Sequence, residues 1–170
     1  MNLKALFDLN YGLYIVSSQA EGKFSGCVVN TVTQITAEEK PKLIVAINKD
    51  NYTSQLALKS KKINISVLSE KADMLLIGKF GFRSGKDFDK LEGTTYQMGK
   101  NGIPIITQAS VSYMECKVLE VEDCHTHYLF ILELQEAEEL DEQAKPMTYG
   151  YYHHVIKGKT PPKASSYVKQ

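Results

Sequence analysis

Alternating apolar and polar residues predict a chain built mainly of β-strands that follow one another through short turns. In the first half, runs rich in β-branched residues predict strands over residues 13–18, 24 to about 36, 43–47 and 63–68. The turn at residues 20–23 carries Gly22 where a tight hairpin needs a positive φ. We therefore expect the first three strands to form an antiparallel meander.

The second half has longer strands, predicted over residues 103–108, 110–121 and 128–134. Short helices are predicted over residues 3–9, 54–59 and 71–80, the second of them capped by Asn51 or Thr53. Residues 78–102 are rich in glycine and lack a clean period, which predicts a long, partly ordered loop. Because the strands are joined by turns rather than helices, the predicted fold is a mainly β, closed antiparallel barrel.

Length and charge narrow the class of protein. A chain of 170 residues fits one domain, with a tail over about residues 146–170 that wraps the barrel or a partner subunit. Twenty basic and twenty acidic side chains cancel, which argues against nucleic acid as a partner. No apolar run reaches the ~18 residues of a membrane span, and no signal peptide is recognisable. Three unpaired cysteines are typical of a cytoplasmic protein with reduced thiols.

Two polar clusters follow apolar strands in the stretch from Phe24 to Leu56. The first contains Asn30, Thr31, Thr33 and Gln34, and the second runs over residues 48–54 ahead of a predicted helix. Amides and hydroxyls can pair with the edge of a flavin ring, and a helix N-terminus with Lys49 beside it can bind a phosphate. An ordinary sheet surface and an ordinary N-cap remain the alternative explanations.

Other candidate residues point less directly to a site. Four histidines lie at positions 125, 127, 153 and 154, but their spacing does not close a metal site, so no metal is predicted. His127 is instead a candidate neighbour of a flavin or nicotinamide. The basic residues of the glycine-rich segment, Arg83, Lys86 and Lys90, are candidates to contact an anionic cofactor. The alternative is that they are solvated loop charges. Motifs of dinucleotide-binding Rossmann domains and phosphate-loop ATPases are absent from the sequence.

Several segments together resemble the flavin reductase-like, FMN-binding split-barrel family, and within it the flavoredoxin-like proteins and the flavin domain of high-molecular-weight rubredoxin. The matching segments occur in family order: YGLYIVSS, GKFSGCVVNTVTQIT, PKLIVAINKDNYT, FGFRSGKDFDKLEG, HTHYLFILEL and MTYGYYHHVIKGKTPPKASSY. Leu132 departs from the pattern, because many relatives have glycine there. The sequence ends at Gln170, so we expect no rubredoxin domain to follow.

The resemblance implies a split β-barrel homodimer that holds FMN near the subunit interface. It also implies hydride transfer from NADH or NADPH to the flavin, with no catalytic side chain because the flavin carries the chemistry. Contacts to the isoalloxazine would come from Asn30, Thr31, Val32, Thr33 and Gln34. Contacts to the ribityl chain and phosphate would come from Asn48, Lys49, Tyr52 and Thr53. Arg83, Ser84 and His127 would line the nicotinamide side or the interface.

Two alternative functions remain open from the sequence. The first is a flavin electron carrier that passes electrons to a separate rubredoxin-like partner without turning over nicotinamide. The second is a β-barrel binding module without redox activity.

Overall fold

The computed structural model describes residues 1–167, except the side chain of Lys4, and the last three residues of the predicted tail lie outside it. The strands are β1 Tyr14–Ala20, β2 Lys23–Val29, β3 Val32–Gln34, β4 Lys42–Asn48, β5 Lys62–Leu68, β6 Tyr96–Met98, β7 Pro104–Ile106, β8 Ser110–Cys124 and β9 His127–Glu139. The helices are a 3-10 helix at Leu3–Asp8, α1 Tyr52–Ser60, α2 Met74–Phe82 and α3 Tyr149–His154. Within this range, no helix combines the length and apolar character needed to cross a membrane.

Seven strands form one antiparallel sheet in the order β2-β1-β5-β8-β9-β4-β3, and β6 pairs with β7. The predicted hairpin between β1 and β2 is confirmed, with Glu21 at φ 52° and Gly22 at φ 71°. Positive φ at both central turn residues matches the right-handed twist of the flanking strands. The mainly β, antiparallel prediction is therefore correct.

The predicted meander is wrong, because β2 and β3 lie at opposite ends of the sheet. The polar pair Asn30 and Thr31 interrupts what the sequence pattern suggested was one strand over residues 24–36, and the chain crosses there from one end to the other. Cys27 on β2 and Val45 on β4 still pack in the same buried cluster. The described strands thus surround one core with the ladder open between β2 and β3, a split rather than a closed barrel.

The predicted long, partly ordered loop at residues 78–102 contains two regular elements. α2 continues to Phe82, and β6 forms a hairpin with β7. Lys90, only 2% exposed, donates from Nζ to the carbonyls of Gly26, at 2.5 Å, and Phe80, at 3.2 Å. These carbonyls belong to an end strand of the sheet and to the last turn of a helix, where backbone acceptors lack regular partners. Lys90 is therefore buried rather than solvated, and its hydrogen bonds hold this segment against the sheet and α2.

The tail packs on the barrel through buried residues, as its composition suggested. Met147 is 1% exposed and joins Leu13 and Leu68 through backbone hydrogen bonds of 3.1 Å and 2.8 Å. α3 follows at once, capped by the Thr148 side chain, which accepts from the Tyr151 N–H. These contacts direct the chain after α3 across the ends of β2, β4 and β9.

Candidate functional site

A cleft lies between the open side of the barrel, α2 and the tail. It contains about 510 Å³ of empty volume, part of it open to solvent. The barrel contributes the ends of β2 and β4 and the start of β9, and α2 contributes its C-terminal half. The lining side chains from these elements are Val28, Val29, Asn30, Ala46, Asn48, His127, Ile77, Gly81 and Phe82.

Asn30 is the most buried polar side chain of the cleft, with 4% of its surface exposed. It occupies the break between β2 and β3, where the backbone leaves the sheet. Its Nδ2 donates to Ser166 Oγ at 2.5 Å, and its Oδ1 accepts from Thr31 Oγ1 at 3.2 Å and from Ser165 Oγ at 2.9 Å. A carboxamide in this position offers both a donor and an acceptor to a ligand.

Asn48 and His127 face each other across β4 and β9. His127 Nε2 lies 3.2 Å from the carbonyl of Lys163, so it carries the proton and donates, while Nδ1 accepts from Thr126 Oγ1 at 2.8 Å. Burial lowers the pKa of His127, and the hydrogen bond to the Lys163 carbonyl opposes this only in part. The imidazole is therefore neutral near pH 7, and it supplies hydrogen-bonding groups rather than charge.

The N-terminus of α1 opens beside Asn48. Its N-cap residue, Asn51, has an extended backbone and makes no side-chain capping hydrogen bond. The first N–H groups of the helix thus keep their partial positive charge for an external acceptor. Two lysines lie near this helix start. Lys49 forms an exposed ion pair with Asp123, and Lys163 Nζ lies 3.3 Å from Asp50 Oδ2. The free N–H groups and the nearby positive charge make the helix start a site where a phosphate can bind.

Other residues predicted to contact a flavin lie outside the cleft lining. Val32 packs against the core, and Thr33 and Gln34 are exposed on β3. Tyr52 is half-buried at the start of α1. The Thr53 hydroxyl is buried and lies 2.9 Å from Ser25 Oγ, so only its backbone remains at the helix start. The flavin contacts assigned to these residues remain predictions.

Arg83 and Ser84 lie just after α2 and are not among the residues that line the cleft. The Arg83 guanidinium sits 4.5 Å from the centre of the Phe88 ring, and Ser84 Oγ accepts from the Lys86 N–H at 3.2 Å. Their neighbour Phe82 does line the cleft. A role of Arg83 and Ser84 towards the nicotinamide thus remains a prediction.

The tail supplies site residues that sequence reasoning missed. Tyr149, Tyr152, Pro161, Lys163, Ala164 and Ser165 line the cleft from this side. The density of tyrosine and serine in the tail suggested packing on the barrel, but local patterns do not indicate where such a segment docks. Over residues 1–167, no group of three His, Cys, Asp or Glu side chains is arranged to bind a metal.

The donor set in the cleft fits a flavin. The pyrimidine edge of the ring presents carbonyls and an N–H, which the side chains of Asn30 and Asn48 can match, and a phosphate can meet the start of α1. Val28, Ile77 and Phe82 offer an apolar wall for an aromatic ring.

Comparison with known proteins agrees with this chemistry. The model of the flavin reductase like domain matches residues 6–158. A ferric-chelate reductase (NAD(P)H) of Archaeoglobus fulgidus is 41% identical over 98% of both chains. A high molecular weight rubredoxin of Moorella thermoacetica is 40% identical over 98% of this chain and 72% of its own length.

Solved structures show the same fold at lower identity. An NADH:FAD oxidoreductase of Streptomyces globisporus superposes with a TM-score of 0.76 and 19% identity, over 86% of this chain and 85% of that one. These structures confirm the split-barrel fold predicted from the sequence, and the family model with the relatives of about 40% identity confirms the flavin oxidoreductase class. The chain belongs to the flavin reductase-like family.

Proposed function

We propose that the chain binds FMN in the cleft and catalyses hydride transfer from NADH or NADPH to it. The observation that carries this proposal is the convergence of the buried Asn30 amide, the Asn48–His127 pair and the open start of α1 on one cleft. Family membership supports the reaction class, since the relative from Archaeoglobus fulgidus is named as an NAD(P)H-dependent reductase.

The residues present divide the ligand into a ring end and a phosphate end. Asn30 and Asn48 bind the polar edge of the ring, and the α1 N-terminus with Lys49 binds the phosphate. One helix N-terminus suits one terminal phosphate, which favours FMN over FAD. Tyr52 and Thr53 contribute backbone groups at the same helix start.

When bound, the flavin supplies the hydride chemistry. The protein orients the ring through the amides and excludes water with Val28, Ile77 and Phe82. Because the His127 ring is neutral, it places no charge at the cleft that would repel the nicotinamide or bind it too tightly. Because no side chain transfers a proton or forms a covalent bond in this scheme, no catalytic residue is assigned.

We also propose that the protein is a homodimer whose interface includes the outer face of α2. Leu75, Phe82 and Met74 on this helix are 83%, 54% and 41% exposed, respectively. Phe82 also lines the cleft, so an interface here adjoins the flavin site. Sedimentation should give a dimer, and Leu75→Glu should shift it to monomer; a monomeric wild-type protein would contradict the proposal.

An electron-transfer role without nicotinamide turnover is the second candidate. The relative named high molecular weight rubredoxin is matched over 72% of its length, so it has a part that this chain does not match. A separate rubredoxin-like protein would then accept the electrons.

We also propose that residues 1–170 form one domain and that the protein is located in the cytoplasm. The free thiols of Cys27, Cys116 and Cys124 support the location.

One anaerobic experiment tests these functions. FMN is titrated into the purified protein, and NADH or NADPH is then added while the visible spectrum is recorded. We expect FMN to bind and its visible absorption to bleach with nicotinamide, because the flavin is then reduced. No bleaching by nicotinamide, together with transfer of electrons from chemically reduced FMN in the protein to an oxidised rubredoxin-like protein, would select the electron carrier. Failure to bind FMN would reject both functions.

A further inference from the structure

The tail segment of residues 161–166 lines the cleft through Pro161, Lys163, Ala164 and Ser165. With this segment in place, the space open to the centre of a water molecule is about 40 Å³. One water needs roughly 10–15 Å³ on this measure, so there is room for about three waters. A three-ring aromatic system does not fit in that space, and the cleft must enlarge to admit one.

The segment hydrogen-bonds to polar groups at the cleft, among them the Asn30 amide that the proposed function gives to flavin. Ser165 Oγ lies 2.7 Å from Thr31 Oγ1 and donates to Asn30 Oδ1, while Ser166 Oγ accepts from Asn30 Nδ2. The carbonyl of Lys163 accepts from His127. Since Asn30 Oδ1 already accepts two hydrogen bonds, a ligand donor can reach it only by displacing one of them.

The segment is held mainly by polar contacts, and its only large side chain is solvated. Lys163 and Ser165 are exposed, and the ion pair between Lys163 and Asp50 is also at the surface. An exposed ion pair of this kind contributes little stability. A ligand that replaces these hydrogen bonds therefore needs to overcome little buried apolar surface.

One end of the segment is anchored at Thr160. Thr160 Oγ1 lies 2.6 Å from Tyr149 Oη and 3.1 Å from His153 Nε2. Release of Ser165, Ser166 and Lys163 would leave Thr160 in place. Thr160 is thus positioned as the hinge of the segment.

From these contacts we propose that residues 161–166 form an autoinhibitory strap, which competes with flavin for Asn30, Thr31 and His127. This inference rests on the proposed function, because it takes flavin as the ligand of the cleft. Flavin binding then requires the strap to swing away from the cleft about Thr160.

The test compares FMN association with the full chain and with a strap that has lost its hydroxyls. The Ser165→Ala/Ser166→Ala variant loses the side-chain bonds to Asn30 and Thr31 and should bind FMN about tenfold faster in stopped-flow fluorescence. A chain ending at Thr160 should do the same. Lys159→Ala is the matched control, because the Lys159 side chain does not line the cleft, and its rate should equal that of wild type.

Limited trypsin digestion gives a second readout. FMN should accelerate cleavage after Lys163, because the displaced strap is open to the protease. Unchanged or slower association in the serine variant, or protection of Lys163 by FMN, would overturn the strap and make the segment a wall of the site. If neither wild type nor variants bind FMN, the proposed function falls as well.

Discussion

Asn48 and His127 are direct cross-strand partners on β4 and β9, and the hydrogen bond from the Lys49 N–H to the Thr126 carbonyl, at 3.1 Å, continues their ladder into the turn. Cross-strand partners project from the same face of a sheet. This pairing sets a neutral imidazole beside an amide at one rim of the cleft, close to the start of α1. Its geometry makes the protonation state of His127 the first point to test.

His127 should titrate below the ordinary histidine value of 6.5, because burial disfavours the charged ring. Nitrogen-15 NMR of the imidazole should show the proton on Nε2 at pH 7 and a titration midpoint below 6.5. A midpoint above 6.5, or a proton on Nδ1, would contradict the assignment.

Lys49→Ala should weaken FMN binding by about 1–3 kcal/mol, the usual contribution of a charge-assisted hydrogen bond. Riboflavin lacks the phosphate, so its affinity should not change. Lys40→Ala, which removes an exposed lysine from the loop before β4, serves as the control. Equal losses for FMN and riboflavin would show that Lys49 does not bind the phosphate.

The hairpin, the helix start at α1 and the apolar strands were predictable because neighbouring residues determine them. Gly22 sets the turn, and the polar cluster before Leu56 indicates a helix start.

What the sequence did not reveal depends on distant partners. Ser166 reaches Asn30 across 136 positions, and Lys90 reaches Gly26 across 64. Local periodicity carries no information about such contacts. A lysine in a glycine-rich segment and serines in a terminal tail both have the ordinary pattern of solvated residues, so their burial or docking appeared only in the structure.

Lys90 should make the stability of the protein depend on alkaline pH. Burial lowers its pKa from 10.5 to about 8, although nearby Cys27 opposes this. Between these values the unfolded chain holds a proton that the folded protein has released, so the free energy of unfolding contributed by Lys90 rises with pH. The rise should be about 3 kcal/mol over this window.

Denaturant unfolding of wild type and Lys90→Met from pH 7 to 10.5 measures the contribution of Lys90 to the free energy of unfolding. Other alkaline groups, such as Cys116 and Tyr113, each with its pKa raised to about 12, titrate in both proteins and cancel in the difference. Lys86→Met is the control from the same segment. A difference between wild type and Lys90→Met that stays flat with pH would mean that Lys90 is not buried as described.

Gly26→Ala should destabilise the protein by about 1–3 kcal/mol, because overpacking forces neighbours to shift. A Cβ at this position would lie 2.9 Å from the ring of Phe80, and Lys90 holds the same backbone carbonyl. Gly78→Ala on α2 is the control, since its nearest contact is 4.0 Å away. It should be neutral or stabilising, and thermal unfolding of both variants checks the contrast.

The most direct test of the central claim is a crystal structure of the protein with FMN. We predict the polar edge of the ring against Asn30 and Asn48, its phosphate at the start of α1, and residues 161–166 displaced from the cleft. FMN bound elsewhere on the protein, with Asn30 still paired to Ser165 and Ser166, would contradict both the site and the strap.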